Sequence, residues 1–339
     1  MRWYGVRPGF LIAGAVALLG FGVIFGVALD VATRPNDVSA PITGPAPAPK
    51  NITRPPVMTN IPAPDNAGSI LQRPTGEPLR AWPEPKAAPA DEKTPLLAYA
   101  VPSNAAAERP VIAIVIDDMG VDRTRALRAI DLPGPLTVSL MTYADGLPGL
   151  VTQAREHGHE VMAHLPMEPL DPKENPGPGA LTIKMDDGTI QKVFAADLDS
   201  WKGYVGINNH MGSKFTRDKA RMNVVMQELK NRGLLWLDSK TIAGSAGLET
   251  ARAANVPYLE RDVFLDDIDT AEEIKKQLGQ TMALAKARGT AIAIGHPHDL
   301  TLAALKQWLP TLEANGVSLV PISEILKRRQ SQTKETPRG

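Results

Sequence analysis

The sequence predicts an α/β fold: a (β/α) barrel of seven or eight parallel strands, compact or incomplete, preceded by one transmembrane helix and a proline-rich linker. From Val111 onward, short β-branched runs alternate with helical segments, which is the pattern of a parallel sheet with crossover helices. About 220 residues hold these units, close to the ~250 of a typical barrel. The first strand ends in Asp117-Asp118-Met119-Gly120 and not in a glycine-rich phosphate loop, which argues against the alternative of an open doubly wound sheet.

The bulk composition excludes several classes of function. The 339 residues carry 37 basic and 37 acidic side chains, whereas nucleic-acid binders usually show a basic excess. Aromatic residues make up only 5%, which disfavours a base-stacking platform, so no nucleic-acid partner is expected. The absence of cysteine removes disulfides, thiolate metal sites and cysteine nucleophiles.

An apolar run near the N-terminus predicts a membrane anchor. Phe10–Leu29 comprises twenty residues without a charge, which matches the ~20 that a helix needs to span hydrocarbon. Arg2 and Arg7 precede it, so the positive-inside bias places residues 1–9 in the cytoplasm. The protein would then be a single-pass protein of the inner membrane with its domain facing the periplasm. The alternative is a cleaved signal peptide, whose apolar core is shorter, at about 7–15 residues, and which also exports the domain.

Residues 30–108 are predicted to form a disordered linker. Seventeen of the 76 residues in Pro35–Pro110 are proline, and proline lacks a backbone donor and fixes φ. The stretch is therefore expected to be a semi-extended spacer of polyproline character, either a passive tether or a means of giving the domain reach.

The folded domain is predicted to span residues 109–327, followed by a disordered tail at 328–339. The clearest helices are Arg217–Arg232 and Ala271–Arg288, the second with Asp269 as its expected N-cap and Glu272 completing a capping box. The predicted strands are Val111–Ile116, Leu136–Leu140, Glu160–Ala163, Val205–Ile207, Leu234–Leu237, Tyr258–Leu265 (one strand or two short pieces), Ala291–Ile294 and Ser318–Pro321.

Polar side chains directly follow six of these strands. The carboxyl ends of parallel barrel strands meet on one face, and active sites of such barrels lie there. Four of the chain's six histidines fall at these ends, which ordinary turn chemistry does not explain. The sequence therefore predicts a site of acids and histidines at the mouth of the barrel, built from Asp117-Asp118, His164, Asn208-Asn209-His210, Asp238-Ser239, Asp266-Asp267 and His296-Pro297-His298.

The Asp117-Asp118 pair and the segment from His164 to Glu168 are the strongest candidates. A helix N-cap is the alternative for the pair, but capping requires one carboxylate and not two. Imidazole and carboxylate are both ligands that zinc accepts. Pro166 favours a loop here, which could turn His164 and Glu168 inward together; the alternative for Glu168 is a solvated surface acid.

The loop Asn208-Asn209-His210 is a candidate for ligand binding. Amide side chains can orient a ligand or stabilise an oxyanion, and His210 is a candidate metal ligand. The alternative is a turn held by bonds from side chains to the backbone.

The remaining candidates are weaker. His296 is preferred over His298 because it lies nearer the strand, and the alternative for both is a structural histidine. Asp238 and Asp266 either hold histidines in orientation or cap helices.

These residues resemble the polysaccharide deacetylases of the NodB-homology type, in particular their divergent branch, over about residues 109–327. The resemblance implies that Asp117 is a catalytic base and Asp118 a metal ligand. The family's Gly-His-Glu strand and His-x-x-x-His metal motif correspond to Gly158-His159-Glu160 and to His164-x-x-x-Glu168. His164 matches the first ligand, and Glu168 replaces the second histidine.

The late motif of the family, Leu-x-His, corresponds to Ile294-Gly295-His296 and implies that His296 is the general acid. The arginine-proline motif of the typical enzymes is absent, and the loop Asn208–Ser213 near its place resembles that of the divergent branch. One divalent metal, zinc or a similar ion, is expected on Asp118 and His164, with His210 or Glu168 as the third ligand.

The expected function is metal-dependent removal of N-acetyl groups from an envelope polysaccharide such as peptidoglycan. Asp117 would take a proton from water, and His296 would give one to the leaving amine. The alternative is a non-catalytic envelope protein that uses the barrel to bind glycan or a partner protein, which Glu168 and the missing arginine motif favour.

Overall fold

Strands and helices alternate along residues 94–335, the part of the chain that the computed structural model describes. The strands are β1 (Val111–Met119), β2 (Thr137–Met141), β3 (Glu160–Met167), β4 (Gly206–Met211), β5 (Leu235–Asp238), β6 (Tyr258–Glu260), β7 (Val263–Phe264), β8 (Thr290–Gly295) and β9 (Ser318–Leu319). The helices are α1 (Pro95–Ala98), α2 (Arg123–Ile130), α3 (Leu147–Glu156), α4 (Asp187–Asp199), α5 (Lys219–Arg232), α6 (Gly247–Ala254), α7 (Ala271–Arg288), α8 (Asp299–Trp308) and α9 (Ile322–Glu335).

Every strand pairing within residues 94–335 is parallel. Eight strands are hydrogen-bonded in the order β6-β5-β4-β3-β2-β1-β8-β7, and β9 pairs with the start of β1. From β1 to β6 each strand lies beside the one before it in sequence, and β7 and β8 continue the order on the other side of β1. The chain therefore adds strands in a single direction around the sheet, as in a barrel. The prediction of a parallel α/β fold of barrel type is confirmed in its incomplete form.

The two ends of this strand order, β6 and β7, belong to one extended segment, Tyr258–Phe264. We call the junction between β6 and β7 the seam. The first part of the segment, β6, pairs with β5 through Trp236 opposite Tyr258, and its second part, β7, pairs with β8 through Val263 opposite Ala293. Arg261 lies between the two parts, where the segment changes partner. The segment predicted as one strand or two short pieces is therefore two pieces.

Alternate residues of the strands separate two apolar layers, as the period of two in a strand requires. Ile112, Ile114 and Ile116 pack with the surrounding helices in the larger layer. Val111, Ala113 and Val115 belong to the smaller layer, which also contains side chains of β5, β8 and α9. The next residue of β1 on the face of the smaller layer after Val115 is Asp117. The smaller layer therefore ends at the predicted site.

Two predicted strands extend further than expected. β3 continues through Met167, although Pro166 was expected to produce a loop. Pro166 lies near the strand's end, where its carbonyl still accepts from the amide of Leu181 at 2.9 Å, so its missing donor does not interrupt the strand. β4 likewise continues through Met211, so Asn208 and His210 lie within a strand and not in a loop.

The N-cap of α7 also differs from the expectation. Asp269 was the predicted cap, but the hydroxyl of Thr270 accepts from the amide of Glu273 at 3.3 Å. Both residues are suitable caps, and the choice depends on which one has the extended backbone that precedes the first turn.

Packed or helical residues continue on both sides of the predicted domain, residues 109–327. Residues 94–108 pack against the domain, and Leu96, Tyr99 and Ala105 contact the smaller apolar layer. The last helix continues to Glu335, so the chain is helical where a disordered tail was predicted to begin at 328. The apolar periodicity begins at Val111 and gave no indication of these flanking contacts, because the few apolar residues that make them lie in a proline-containing segment without a regular period.

The predicted anchor at residues 10–29, the cytoplasmic residues 1–9 and the predicted linker up to residue 93 lie outside the described residues. Within residues 94–335, no helix has the length and apolar character needed to cross a membrane.

Candidate active site and metal centre

The predicted site residues meet where β1, β3, β4 and β8 end. The register of β1 against β2 shifts between Ile116 and Met119, and Asp118 has a φ of 55°. A regular strand would send two consecutive side chains to opposite faces, whereas this irregularity brings both Asp117 and Asp118 to the same cleft. A left-handed backbone at a residue other than glycine is strained, and such strain concentrates at functional sites.

Asp118, His164 and His210 form a group with the composition of a metal site. Their ligand atoms lie within 4.8 Å of one another. Oδ1 of Asp118 is 2.8 Å from Nδ1 of His210 and 3.2 Å from Nε2 of His164. The same oxygen is buried, yet neither contact has hydrogen-bonding geometry.

This donor set fits a divalent cation. Two imidazole nitrogens and one carboxylate oxygen are the three-ligand type of a catalytic zinc site, which leaves a further position open. A buried oxygen with no well-formed hydrogen bond, facing two nitrogens, is the arrangement expected where all three lone pairs point to a common centre. Burial alone would raise the pKa of Asp118, but the neighbouring His164 and His210 lower it far below its ordinary value, so the carboxylate is ionised.

Asn208 fixes the orientation of His164. The amide nitrogen of Asn208 donates to both oxygens of Asp117, at 2.8 and 3.0 Å, so its carbonyl oxygen must face the other way. That oxygen accepts from Nδ1 of His164 at 2.9 Å and from the hydroxyl of Ser139 at 2.5 Å. Nδ1 of His164 therefore carries a proton, and Nε2 is the nitrogen directed towards the aspartates. Burial alone would lower the pKa of His164, but the charges of Asp117 and Asp118 raise it above its ordinary value.

Asp117 has the environment of a general base. Its side chain is almost fully buried, and Oδ2 lies 3.6 Å from Nε2 of His164. Burial raises the pKa of Asp117 above its ordinary value, and the charges of His164 and His296 oppose this shift without cancelling it. A carboxylate whose pKa is raised towards neutrality is a stronger base.

His296 and Asp266 form a buried pair on the other side of the cleft. Asp266 accepts from Nδ1 of His296 at 3.0 Å, from its backbone amide at 2.7 Å and from Thr301 at 2.7 Å. Burial alone would lower the pKa of His296, but the hydrogen bond to Asp266 and the charge of Asp118 raise it to about 9. The imidazole is therefore protonated at neutral pH, and its Nε2 lies 3.9 Å from Asp118.

His298 lies beside this pair and not in the metal group. Its ring stacks on that of His296 with the centroids 5.5 Å apart. Nδ1 of His298 is 3.9 Å from Asp266, and its side chain is 41% exposed. The preference for His296 over His298 agrees with this placement.

Glu168 does not join the metal group. One of its oxygens accepts from Lys214 at 2.6 Å and the other from the amide of Ile183 at 2.8 Å. The ion pair with Lys214 and that backbone hydrogen bond keep the pKa of Glu168 below its ordinary value. Of the two residues considered for the third ligand, the structure brings His210 to Asp118 and His164.

Asn209 and Asp238 organise the backbone around the site and do not contact the histidines. Asn209 donates to the carbonyl of Met211 and accepts from the amide of Ser239. Asp238 accepts from Ser245 at 2.6 Å and from the amide of Lys240 at 2.8 Å. Of the two alternatives for Asp238, its hydrogen bonds do not include one to a histidine, because its carboxylate is engaged in the loop that follows β5.

The cleft has a volume of about 460 Å³, within the usual size range of small-molecule sites. Its wall includes Arg261 and Phe264, which the sequence did not single out. Arg261 stands between two acids, Glu260 and Asp262, and no motif or spacing marks it. The only signal was its position between the two strand pieces.

Comparisons with known proteins agree with this architecture. Residues 114–326 match the family described as divergent polysaccharide deacetylase. The uncharacterised protein YibQ of Escherichia coli K12 is 34% identical over 228 residues, which cover 67% of this chain and 71% of that protein. An uncharacterised protein of Haemophilus influenzae is 30% identical over 201 residues, covering 59% of this chain and 71% of that protein.

A solved structure has the same fold. The crystal structure of an uncharacterised protein from Agrobacterium tumefaciens C58 superimposes with a TM-score of 0.68 at 29% identity, covering 70% of this chain and 97% of that one. The family match covers more than half of the chain and includes every site residue discussed above. The resemblance seen in the sequence is thereby confirmed: the chain belongs to the divergent polysaccharide deacetylase family.

Proposed function

We propose that this protein is a metal-dependent deacetylase that removes N-acetyl groups from an envelope polysaccharide, with peptidoglycan as a candidate. The observation that carries the proposal is the meeting of Asp118, His164 and His210 beside one buried carboxylate and one protonated histidine. Metal ligands, a base and an acid in one cleft are the components of amide hydrolysis.

Asp118, His164 and His210 would hold the cation, and zinc is the ion that this donor set favours. Once bound, the ion would supply a Lewis acid that polarises the amide carbonyl and makes water more acidic. Asn208 keeps Nε2 of His164 available by holding the proton on Nδ1. A cation bound there would displace the proton that Asp117 and Asp118 favour on Nε2 of His164, so metal binding should weaken as the pH falls.

The protons move through Asp117 and His296. The carboxylate of Asp117 takes a proton from the attacking water as the oxygen bonds to the acetyl carbon. Nε2 of His296 gives its proton to the nitrogen as the carbon–nitrogen bond breaks, so acetate and a free amine leave. Asp266 holds Nδ1 of His296 and stabilises the charged imidazolium before the transfer.

The metal ligands are tested by metal analysis of alanine variants of the purified protein. Asp118→Ala, His164→Ala and His210→Ala should each lose bound metal. Glu168→Ala is the matched control and should keep it, because Glu168 is paired with Lys214. Full occupancy in both Asp118→Ala and His164→Ala would show that the site is elsewhere.

The base is tested by Asp117→Asn, which keeps the shape but cannot take a proton. Acetate release from peptidoglycan fragments and chitin oligomers should fall by about 10²–10⁴-fold while metal stays bound. Wild-type activity in this variant would exclude Asp117 as the base. A metal-loaded wild type that releases no acetate from either glycan would favour the other candidate, a non-catalytic envelope protein that binds glycan or a partner protein.

The substrate proposal includes a location. We propose that the run Phe10–Leu29 anchors the chain in the inner membrane and places the domain in the periplasm, where envelope glycan lies. Protease added after permeabilising the outer membrane should digest the domain. Protection until the inner membrane is broken would contradict this location.

A further inference from the structure

Arg261 is held in place on the wall of the cleft by one edge of its guanidinium. Nε donates to the carbonyl of Ser239 at 2.6 Å, and Nη2 donates to the carbonyl of Lys240 at 3.0 Å. The guanidinium also lies over the ring of Phe264, 4.7 Å from its centroid. Two backbone acceptors and one aromatic ring fix both the position and the plane of the group.

The opposite edge of the same guanidinium remains available. A guanidinium has five N–H groups, and the two bonds above use the Nε–H and one of those on Nη2. No described residue accepts from the remaining three, which include both N–H groups of Nη1. Arg261 is the one arginine or lysine among the described residues that line the cleft. The free edge is thus the cleft's source of positive charge outside the histidines.

A purely structural role would not account for this arrangement. Fastening the seam between β6 and β7 requires only the edge that is bonded to Ser239 and Lys240. Burial lowers the pKa of Arg261 below its ordinary value, and nearby acids including Asp117 only partly offset the effect, so the charge is held at a cost. An anionic partner at the free edge would offset that cost.

We propose that Arg261 forms an anion-binding subsite of the cleft, which recognises a glycan carrying a carboxylate or a phosphate ester next to its acetamido group. The free Nη1–Nη2 edge can pair with two oxygens of one anionic group at once. This proposal rests on the proposed function for the acetamido group, and it names the substrate class of that same site as an acidic glycan.

Direct binding to the full-length, zinc-loaded protein tests the subsite with two pairs of ligands. The first pair is the disaccharide of N-acetylglucosamine and N-acetylmuramic acid and the same disaccharide with its carboxyl reduced to an alcohol. The second pair is N-acetylglucosamine 6-phosphate and N-acetylglucosamine. The anionic member of at least one pair should bind about tenfold more tightly or better, and that pair identifies the anionic group.

Three variants assign the preference to Arg261. Arg261→Gln should bind both members of the pair equally, and Arg261→Lys should keep only part of the preference because an ammonium lacks the two-pronged edge. Lys240→Gln is the matched control: it removes a neighbouring charge that pairs with Glu260 at 3.6 Å and does not line the cleft, so the preference should persist. Melting temperatures measured alongside show whether the seam has loosened.

Each result bears on the proposal. Equal binding of both pairs by the wild type, or a preference that survives in Arg261→Gln, would overturn it. If Arg261→Gln does not fold, the wild-type pairs and the partial preference expected of Arg261→Lys still decide. Because binding needs no turnover, a preference without acetate release would leave the subsite standing and remove the deacetylase proposal. Acetate release without a preference for the anionic ligands would leave the deacetylase proposal standing and remove the subsite.

Discussion

Asn208 connects the proposed base and the proposed metal ligand through one side chain. Its amide nitrogen donates to Asp117 and to the hydroxyl of Ser239, and its carbonyl oxygen accepts from His164 and Ser139. Every polar atom of a fully buried amide is therefore satisfied. The sequence interpretation of this asparagine as a ligand-orienting residue was close, but the group that it orients is a histidine of the protein.

Replacing Asn208 with alanine should weaken metal binding about 10–100-fold, because residues that orient a metal-ligating histidine typically contribute that much. His164 would lose the acceptor that holds its proton on Nδ1. Competition with a chelator measures the affinity, and ¹⁵N NMR of the imidazole reports the tautomer. The neighbouring Asn209→Ala is the control, since that amide bonds to Met211 and Ser239. Equal losses in the two variants would contradict the role of Asn208.

Single residues were predictable from the sequence where they stood at the end of an apolar run. Asp118, His164, His210 and His296 were found in this way and lie at one cleft. Glu168 was misleading because its spacing from His164 matched a motif, while its ion pair with Lys214 depends on a residue 46 positions away. Arg261 was missed because its bonding partners are backbone carbonyls, which no side-chain pattern reveals.

At the scale of the elements, hydrophobic patterning located the strands but not where they end. β1 extends past Ile116 to Met119 although aspartate is unfavourable in strands. The continuation depends on the shifted register opposite Leu140, which is a tertiary effect. The division of the segment from Tyr258 to Phe264 between two neighbouring strands also depends on distant pairing and could not be read from a local pattern.

The packing of α4 against the end of β2 includes a half-buried acid with a shifted pKa. Oδ2 of Asp197 accepts from Thr142 at 3.2 Å, and burial raises the pKa of Asp197 to about 6, with the Thr142 hydrogen bond opposing the shift. Because the folded state holds this proton more tightly than the unfolded state, Asp197 contributes its stability below pH 4. That contribution is lost as the pH rises towards 6.

Asp197→Asn should therefore stabilise the protein at pH 7 and not at pH 4. A shift of this size corresponds to about 1–3 kcal/mol once partial exposure is allowed for. Unfolding by urea at both pH values measures the difference from the wild type. Asp187→Asn, at the exposed start of the same helix, should change stability by less than about 0.5 kcal/mol at either pH. A stabilisation by Asp197→Asn that is equal at pH 4 and pH 7 would contradict the raised pKa.

At the scale of the whole domain, the chain enters at the end of the barrel opposite the cleft. Leu96 donates to the carbonyl of Gly233, directly before β5 begins. Glu160, the first residue of β3, accepts from the amide of Val101 at 3.0 Å and from both the amide and the hydroxyl of Ser323 on α9. One buried carboxylate thus joins the entering segment, the sheet and the last helix.

Arg328, on the last helix, also holds the entering segment against the domain. Its Nη1 donates to the carbonyls of Ala107 and Arg109, at 3.1 and 2.7 Å, and its Nη2 donates to those of Ala105 and Ala106, both at 3.0 Å. These bonds satisfy the backbone of a segment that has no strand or helix to do so. We therefore expect residues 94–108 and 328–335 to unfold together with the rest of the domain, although neither range carries an apolar pattern that marks it as folded.

The shorter piece 109–327 should fold cooperatively but melt at a lower temperature than the piece 94–335. It lacks Arg328 and the contacts made by Leu96 and Tyr99. A loss of roughly 3–5 kcal/mol from several hydrogen bonds and partly buried apolar side chains corresponds to roughly 5–15 °C at this chain length. Calorimetry of the two pieces measures the difference. Within the longer piece, Arg328→Ala should account for about half of it, whereas Lys327→Ala, an exposed neighbour, should change the melting temperature by no more than about 2 °C. Equal melting temperatures for the two pieces would show that the flanking segments lie on the domain without stabilising it, and the boundaries at 109 and 327 would then stand.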